Sequence, residues 1–115
     1  VSVEIDSALA ATARQNLTNA GVANVAVETG DASRGWPTKA PYDVIVVSGS
    51  LPALPKELLQ QLKVGGRLVA IVGTSPVMSA QLVTRTGEMT FNTVNLFETV
   101  AAPLRNAVQR EQFVF

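Results

Sequence analysis

Tyr42-Asp43-Val44-Ile45-Val46-Val47, running on into Ser48-Gly49-Ser50-Leu51-Pro52, is the stretch on which the fold turns. Its apolar run is almost unbroken and rich in β-branched residues, the pattern of a central strand covered on both faces. Ser48 to Pro55, with two prolines, reads as the loop that leaves this strand. Lys56 to Leu62 has helical composition, with Leu58, Leu59 and Leu62 sharing a face. Val64-Gly65-Gly66 reads as a turn. Arg67-Leu68-Val69-Ala70-Ile71-Val72 then reads as a second buried strand, ended by Gly73. Strand, helix and strand in that order predict a parallel pair joined by a crossover.

The same alternation extends backwards. Val1 to Ile5 is a short β-rich run, and Asp6 and Ser7 are natural helix N-caps. Ala8 to Ala20 favours helix, with Leu9, Ala13 and Leu17 as its apolar stripe, and Gly21 stands where a left-handed residue ends a helix. Asn24 to Glu28 reads as another strand, and Thr29 to Pro41 as loop. Forwards, the pattern changes. Only Thr74 to Ala80 separates Val72 from the run Gln81-Leu82-Val83-Thr84-Arg85. A parallel crossover needs about a dozen residues or more, so this strand is expected to run antiparallel to its predecessor. Thr86-Gly87-Glu88 is a hairpin turn into Met89 to Phe97, with Met89, Phe91, Thr93, Asn95 and Phe97 on one side. Phe113-Val114-Phe115 is expected as a short final strand or a docked tail. The fold expectation is therefore α/β: parallel strands near 1–5, 24–28, 42–48 and 66–73, then an antiparallel extension near 81–86 and 89–97.

Composition narrows the chemistry. The 115 residues suit one domain, 1–115, and 47% hydrophobic content permits a modest core. Nine basic residues balance nine acidic ones, so no nucleic-acid or membrane partner is expected. No Cys is present, which removes disulfides and thiolate nucleophiles and suits a cytoplasmic setting. The absence of His excludes a His general base or triad within this chain, and no metal is expected. No run approaches the roughly 18–20 apolar residues of a membrane span. Reading as strand from Val1, with no lead-in, the chain is expected to be a portion truncated at its front.

Candidate ligand residues gather at strand ends. Glu4 closes the first strand, where an acidic residue of a doubly wound fold can accept hydrogen bonds from both hydroxyls of a ribose. Gly30-Asp31-Ala32 follows the second strand. There the Asp31 carboxylate could accept from the exocyclic amine of an adenine, and Ala32 is small enough for close backbone approach. Each acidic residue alone is more often a solvated strand end or an ordinary Gly-Asp turn. Two at the carboxyl ends of successive strands favour a nucleotide-like ligand, since ligands bind at that edge. Ile5 could pack on the base or simply fill core. Ser48, in Ser48-Gly49-Ser50 at the carboxyl end of the central strand, could border the ligand. Asp43, at the strand's amino end, is read as a loop anchor, and so is Trp36. No catalytic residue is assigned.

The order of these features resembles the protein-L-isoaspartate O-methyltransferase family, whose members use S-adenosylmethionine. The resemblance rests on Val3-Glu4, on Asn24-Val25 leading to Gly30-Asp31 and Gly35-Trp36-Pro37, on Ala40-Pro41-Tyr42-Asp43-Val44-Ile45-Val46, and on Leu62-Lys63-Val64-Gly65-Gly66-Arg67-Leu68-Val69. The Gly-Asp-x-x-x-Gly-Trp-Pro spacing is its most specific part. It spans Val1 to Phe97, with a looser fit at Ala102-Pro103-Leu104.

The resemblance implies a Rossmann-like methyltransferase sheet without the family's first strand, which would lie between the strands at 1–5 and 42–48. It implies ribose binding at Glu4 and adenine beside Asp31, and methyl transfer to the α-carboxylate of L-isoaspartyl residues in damaged protein, followed by collapse of the ester to a succinimide. Such chemistry is mainly alignment and exclusion of water, so the lack of His and Cys is no obstacle. The family's glycine-rich first motif and its hydroxyl-bearing substrate segment lie upstream of the matched part. Where the family shows small residues, often several Ala, before a Pro, this chain has Ser48-Gly49-Ser50-Leu51-Pro52. Two other readings stand beside this one: a non-catalytic cofactor-binding or interaction domain, and a small-molecule methyltransferase on the same scaffold. The chain alone is expected to be inactive, of low stability, and able to associate with itself through the edge left by the missing strand.

Overall fold

The computed structural model describes residues 1–107; the expectation for Phe113-Val114-Phe115 lies outside them. Nine elements follow in order: β1 (Ser2–Glu4), α1 (Ser7–Asn19), β2 (Val27–Thr29), a 3-10 turn (Pro37–Lys39), β3 (Tyr42–Leu51), α2 (Lys56–Gln60), β4 (Leu62–Thr74), β5 (Val77–Arg85) and β6 (Phe91–Glu98). They fall into two compact units, one from Val1 to Ala32 and one from Ser33 onward.

In the first unit β1 and β2 pair in parallel, with Ser2 opposite Val27 and Glu4 opposite Thr29. The helix between them starts where Asp6 takes the N-cap: its Oδ1 accepts from the amides of Ala8 (2.9 Å) and Leu9 (3.1 Å). It ends at Gly21, whose φ of 72° lets the Val22 amide reach back to the Leu17 carbonyl at 2.9 Å. The face that packs differs from the one expected. Ala10 is buried and Leu9 is 57% exposed, so the stripe runs through Ala10, Ala13 and Leu17. Arg14, on that same side, binds β2 through the Val27 carbonyl (2.9 Å) and the Thr29 hydroxyl (3.1 Å).

The second unit is a four-stranded sheet in the order β3-β4-β5-β6. β3 and β4 are parallel, and β5 and β6 follow antiparallel, as the short links require. No described strand joins this sheet to the β1–β2 pair. Leu51, Leu58, Leu62, Leu68, Ala70 and Val83 form the core under one sheet face, with Ile45, Val47 and Phe91 packed against it.

Four local expectations are corrected. β3 does not stop at Ser48 but continues to Leu51. It is covered on one face only, since Ile45 and Val47 turn to the core while Val44 and Val46 stay 54% and 70% exposed. An unbroken apolar run carries no alternation to say which face is packed. β5 begins at Val77, because Thr74 pairs with Val77 across a tight Ser75-Pro76 turn. Gly73, at φ 131°, must be glycine there, as a Cβ would run into the Val77 backbone. In β6 a bulge at Leu96 places Asn95 opposite Gln81 and Phe97 opposite Ala80, so Phe97 lies on the other side from Phe91, Thr93 and Asn95. Gly65-Gly66 turns the chain as expected, inside β4: Tyr42 pairs with Leu62 and Val44 with Arg67, and Lys63 to Gly66 loop out between them.

Candidate functional site

The carboxyl edge of the β1–β2 pair brings Glu4, Ile5, Asp31 and Ala32 together. The Gly30 amide donates to the Glu4 carbonyl at 3.0 Å, extending the ladder by one step past the assigned strands. Glu4 and Asp31 thus leave neighbouring parallel strands at the same edge, where open α/β sheets take their ligands. Glu4 is half-buried, and its Oε1 accepts from the Asp6 amide at 3.2 Å. That bond ties the carboxylate to the turn that opens α1. Ile5 is 36% exposed, so an apolar side chain is available at the edge, and Ala32 is half-buried. Asp31 is exposed. Carboxylates from two neighbouring strand ends, with an apolar side chain at the same edge, offer acceptor oxygens beside an apolar surface. This suits a ligand that presents hydroxyls and an amine around a flat ring. The sequence reading missed Arg14, whose bonds to Val27 and Thr29 hold α1 on β2, the strand that leads to Asp31.

Ser48 lies in the second unit and is exposed in mid-strand, not in a loop. The ladder is irregular there: Val46 pairs with Val69 and Ser50 with Ile71, so β3 bulges at Val47 to Gly49. Ser50 is fully buried. Its amide donates to the Ala102 carbonyl (2.8 Å), its hydroxyl to the Ala101 carbonyl (3.0 Å), and its carbonyl accepts from the Leu104 amide (2.8 Å). The segment Ala101 to Leu104 is thereby strapped along the carboxyl end of β3. Among the described residues, Ser33 is the other buried polar one, and it donates to the Asn106 carbonyl at 3.3 Å. Both buried hydroxyls therefore serve the chain after β6, and only the three-dimensional arrangement reveals this. Trp36 anchors its loop through its backbone, donating to Gln61 Oε1 at 2.7 Å and accepting from the Tyr42 hydroxyl. Asp43 pairs with Lys63 at 3.2 Å, exposed at the amino end of β3.

Residues 1–110 match the sequence model of the family described as protein-L-isoaspartate(D-aspartate) O-methyltransferase (PCMT). The chain belongs to that family. Among its protein-L-isoaspartate O-methyltransferase relatives, enzyme 2 of Pelobacter propionicus is 47% identical over 107 residues, covering 92% of this chain and 48% of the relative. The Staphylothermus marinus enzyme is 42% identical over 104 residues, covering 90% of this chain and 46% of the relative. The chain thus spans about half the length of these curated relatives. A solved protein-L-isoaspartate O-methyltransferase superposes with a TM-score of 0.82 at 27% identity, over 94% of this chain and 34% of that one. A Plasmodium falciparum structure of the same description, in complex with S-adenosyl-L-homocysteine, shares the fold with a TM-score of 0.75 at 16% identity, over 90% of this chain and 50% of that one. The Rossmann-like α/β fold with its antiparallel end is therefore that of the isoaspartate methyltransferases. Among the described residues, no helix is long and apolar enough to cross a membrane.

Proposed function

We propose that the polypeptide carrying this chain transfers a methyl group from S-adenosylmethionine to the α-carboxylate of L-isoaspartyl residues in damaged proteins, as a cytoplasmic repair enzyme. The observation that carries this reading is the pair Glu4 and Asp31 on adjacent parallel strand ends, in a chain of this family. Glu4 accepts from the two ribose hydroxyls, with Ile5 against the adenine ring. Asp31 accepts from the adenine amine, and Ala32 leaves room for the base edge. Ser48 is proposed, on sequence grounds, as a residue bordering the ligand. When bound there, S-adenosylmethionine would supply an activated methyl group on a sulfonium, with Glu4 and Asp31 holding its ribose and adenine ends for transfer to the substrate carboxylate. No proton needs to move, so the residues of this chain serve to hold and orient. In this family a glycine-rich motif, upstream of the residues matched here, meets the amino acid end of the cofactor. The chain alone is therefore expected to bind weakly, because several hydrogen bonds to charged groups, each contributing roughly 1.5–3 kcal/mol, are lost together.

The test is a paired assay. The intact polypeptide should methylate an isoaspartyl peptide and leave its aspartyl counterpart untouched, while the 115-residue chain shows neither activity nor micromolar affinity in calorimetric titration with S-adenosylmethionine. Methylation of both peptides, or of small carboxylic acids in their place, would overturn the substrate. Tight binding by the chain would show that the site has been misplaced.

A further inference from the structure

We propose that the outer edge of β6 is a self-association surface on which a second copy of this chain pairs strand to strand. Among the described residues, β6 is the last strand of its sheet, and none of them pairs with its outer side. An open edge presents a row of amide and carbonyl groups whose best partner is another strand. Sheets protect such edges with Lys, Pro or inward-pointing charges. Phe91-Asn92-Thr93-Val94-Asn95-Leu96-Phe97-Glu98 has no Lys or Pro, and its single charge is at the far end. Val94, Leu96 and Phe97 are 45%, 48% and 61% exposed. At the other end of the sheet, β3 is met at Ser50 by a bridge to Pro103. The chain's net charge of zero sets up no overall repulsion between copies.

The geometry also fixes the register. The Thr86 amide donates to the Thr90 carbonyl at 2.9 Å, and Thr84 lies opposite Asn92 and Leu82 opposite Val94. Antiparallel ladders alternate, so Thr90, Asn92 and Val94 turn their backbone groups towards β5, while Phe91, Thr93 and Asn95 turn theirs outward. These three outward residues pair with their own copies only about a two-fold axis at Thr93. Thr93 then faces Thr93 of the copy, Phe91 faces Asn95, and Val94 is covered by Asn92. The bulge at Leu96 ends the run. About six ladder hydrogen bonds result, with a Thr–Thr pair at the centre, a favourable cross-strand combination. A two-fold interface of this kind closes on itself and yields a dimer, not a fibre.

The experiment is light scattering and sedimentation on the chain from low micromolar to several hundred micromolar concentration. A reversible monomer–dimer equilibrium is expected. Thr93→Pro removes only an outward amide and leaves the β5–β6 ladder intact, so it should raise the dimer dissociation constant roughly tenfold or more, as two hydrogen bonds go at once. Thr93→Lys sets two like charges face to face at the axis and should do the same, with the loss partly recovered at high salt. If Thr93→Pro fails to fold by circular dichroism, Thr93→Lys decides. Val46→Lys, on β3, should leave the dimer unchanged. A chain that stays monomeric throughout overturns the proposal. So does a dimer that survives both Thr93 variants, or one that Val46→Lys dissolves, since association would then use another edge.

Discussion

Glu4 is asked to do two things at once. Its backbone carbonyl holds the Gly30 amide in the β1–β2 ladder, and its side chain accepts from the Asp6 amide at 3.2 Å. The main-chain bond is indifferent to the side chain, so Glu4→Gln tests the carboxylate without disturbing the ladder. The amide keeps an acceptor oxygen for Asp6 but loses the charge that strengthens bonds to a diol. In the intact polypeptide, affinity for S-adenosylmethionine should fall by about tenfold to a hundredfold, the equivalent of one charged hydrogen bond. The melting temperature should stay within a few degrees. Calorimetry and a thermal melt on the same samples read the two effects apart, and unchanged affinity would remove Glu4 from the site. The strand-end positions of Glu4 and Asp31 were legible in the sequence because strand ends in an α/β alternation can be located from the pattern alone. Arg14 was not, because its partners are carbonyl and hydroxyl oxygens brought to it by the crossover of α1.

Among the elements, the strap from Ala101 to Leu104 shows how a segment without regular structure is held. It owes its place to Ser50, which meets it with three hydrogen bonds, and to Gly49, where any Cβ would collide with the Leu104 side chain. Ser50→Ala leaves the two main-chain bonds and strands the Ala101 carbonyl. The expected cost is about 1–2 kcal/mol in denaturant unfolding, near the penalty for leaving one buried acceptor unsatisfied. Exchange of the Leu104 amide should quicken more than exchange in β4. Equal quickening in β4, or no change at Leu104, would mean that the strap is held by something else. In the sequence, Ser48-Gly49-Ser50 looked like a loop because Ser and Gly are common there. The structure makes it the bulged end of β3, since a strand flanked on one side by β4 and on the other by the strap has its backbone groups satisfied without a regular side-chain pattern. Helix α1 shows the opposite case: its caps at Asp6 and Gly21 stand where the sequence put them, because caps are local.

Over the whole molecule, stability is expected to be uneven. The core lies in the second unit, around Leu51, Leu62, Leu68 and Val83, whereas Ala10 is the buried hydrophobic residue of Val1–Ala32. Little apolar area opposes the conformational entropy of that first unit, so its amides should exchange at least about a hundredfold faster than those of β4 and β5. The chain should melt below about 60 °C, the upper range for ordinary mesophile domains. Hydrogen exchange read residue by residue checks the first statement, and a calorimetric scan the second. Equal protection in both units would contradict it. The sequence alone determined the family, the alternation of strand and helix, and the direction of β5 and β6. These follow from short-range facts: apolar runs, caps, turn residues, and links too short for a crossover. The tertiary structure alone decided which face of β3 is packed, that Ala10 and not Leu9 is buried in α1, that Phe97 leaves the side of Phe91, and that Ser33 and Ser50 hold the chain after β6. Each of these depends on which distant segment arrives as neighbour, and a residue type carries no record of what will be packed against it.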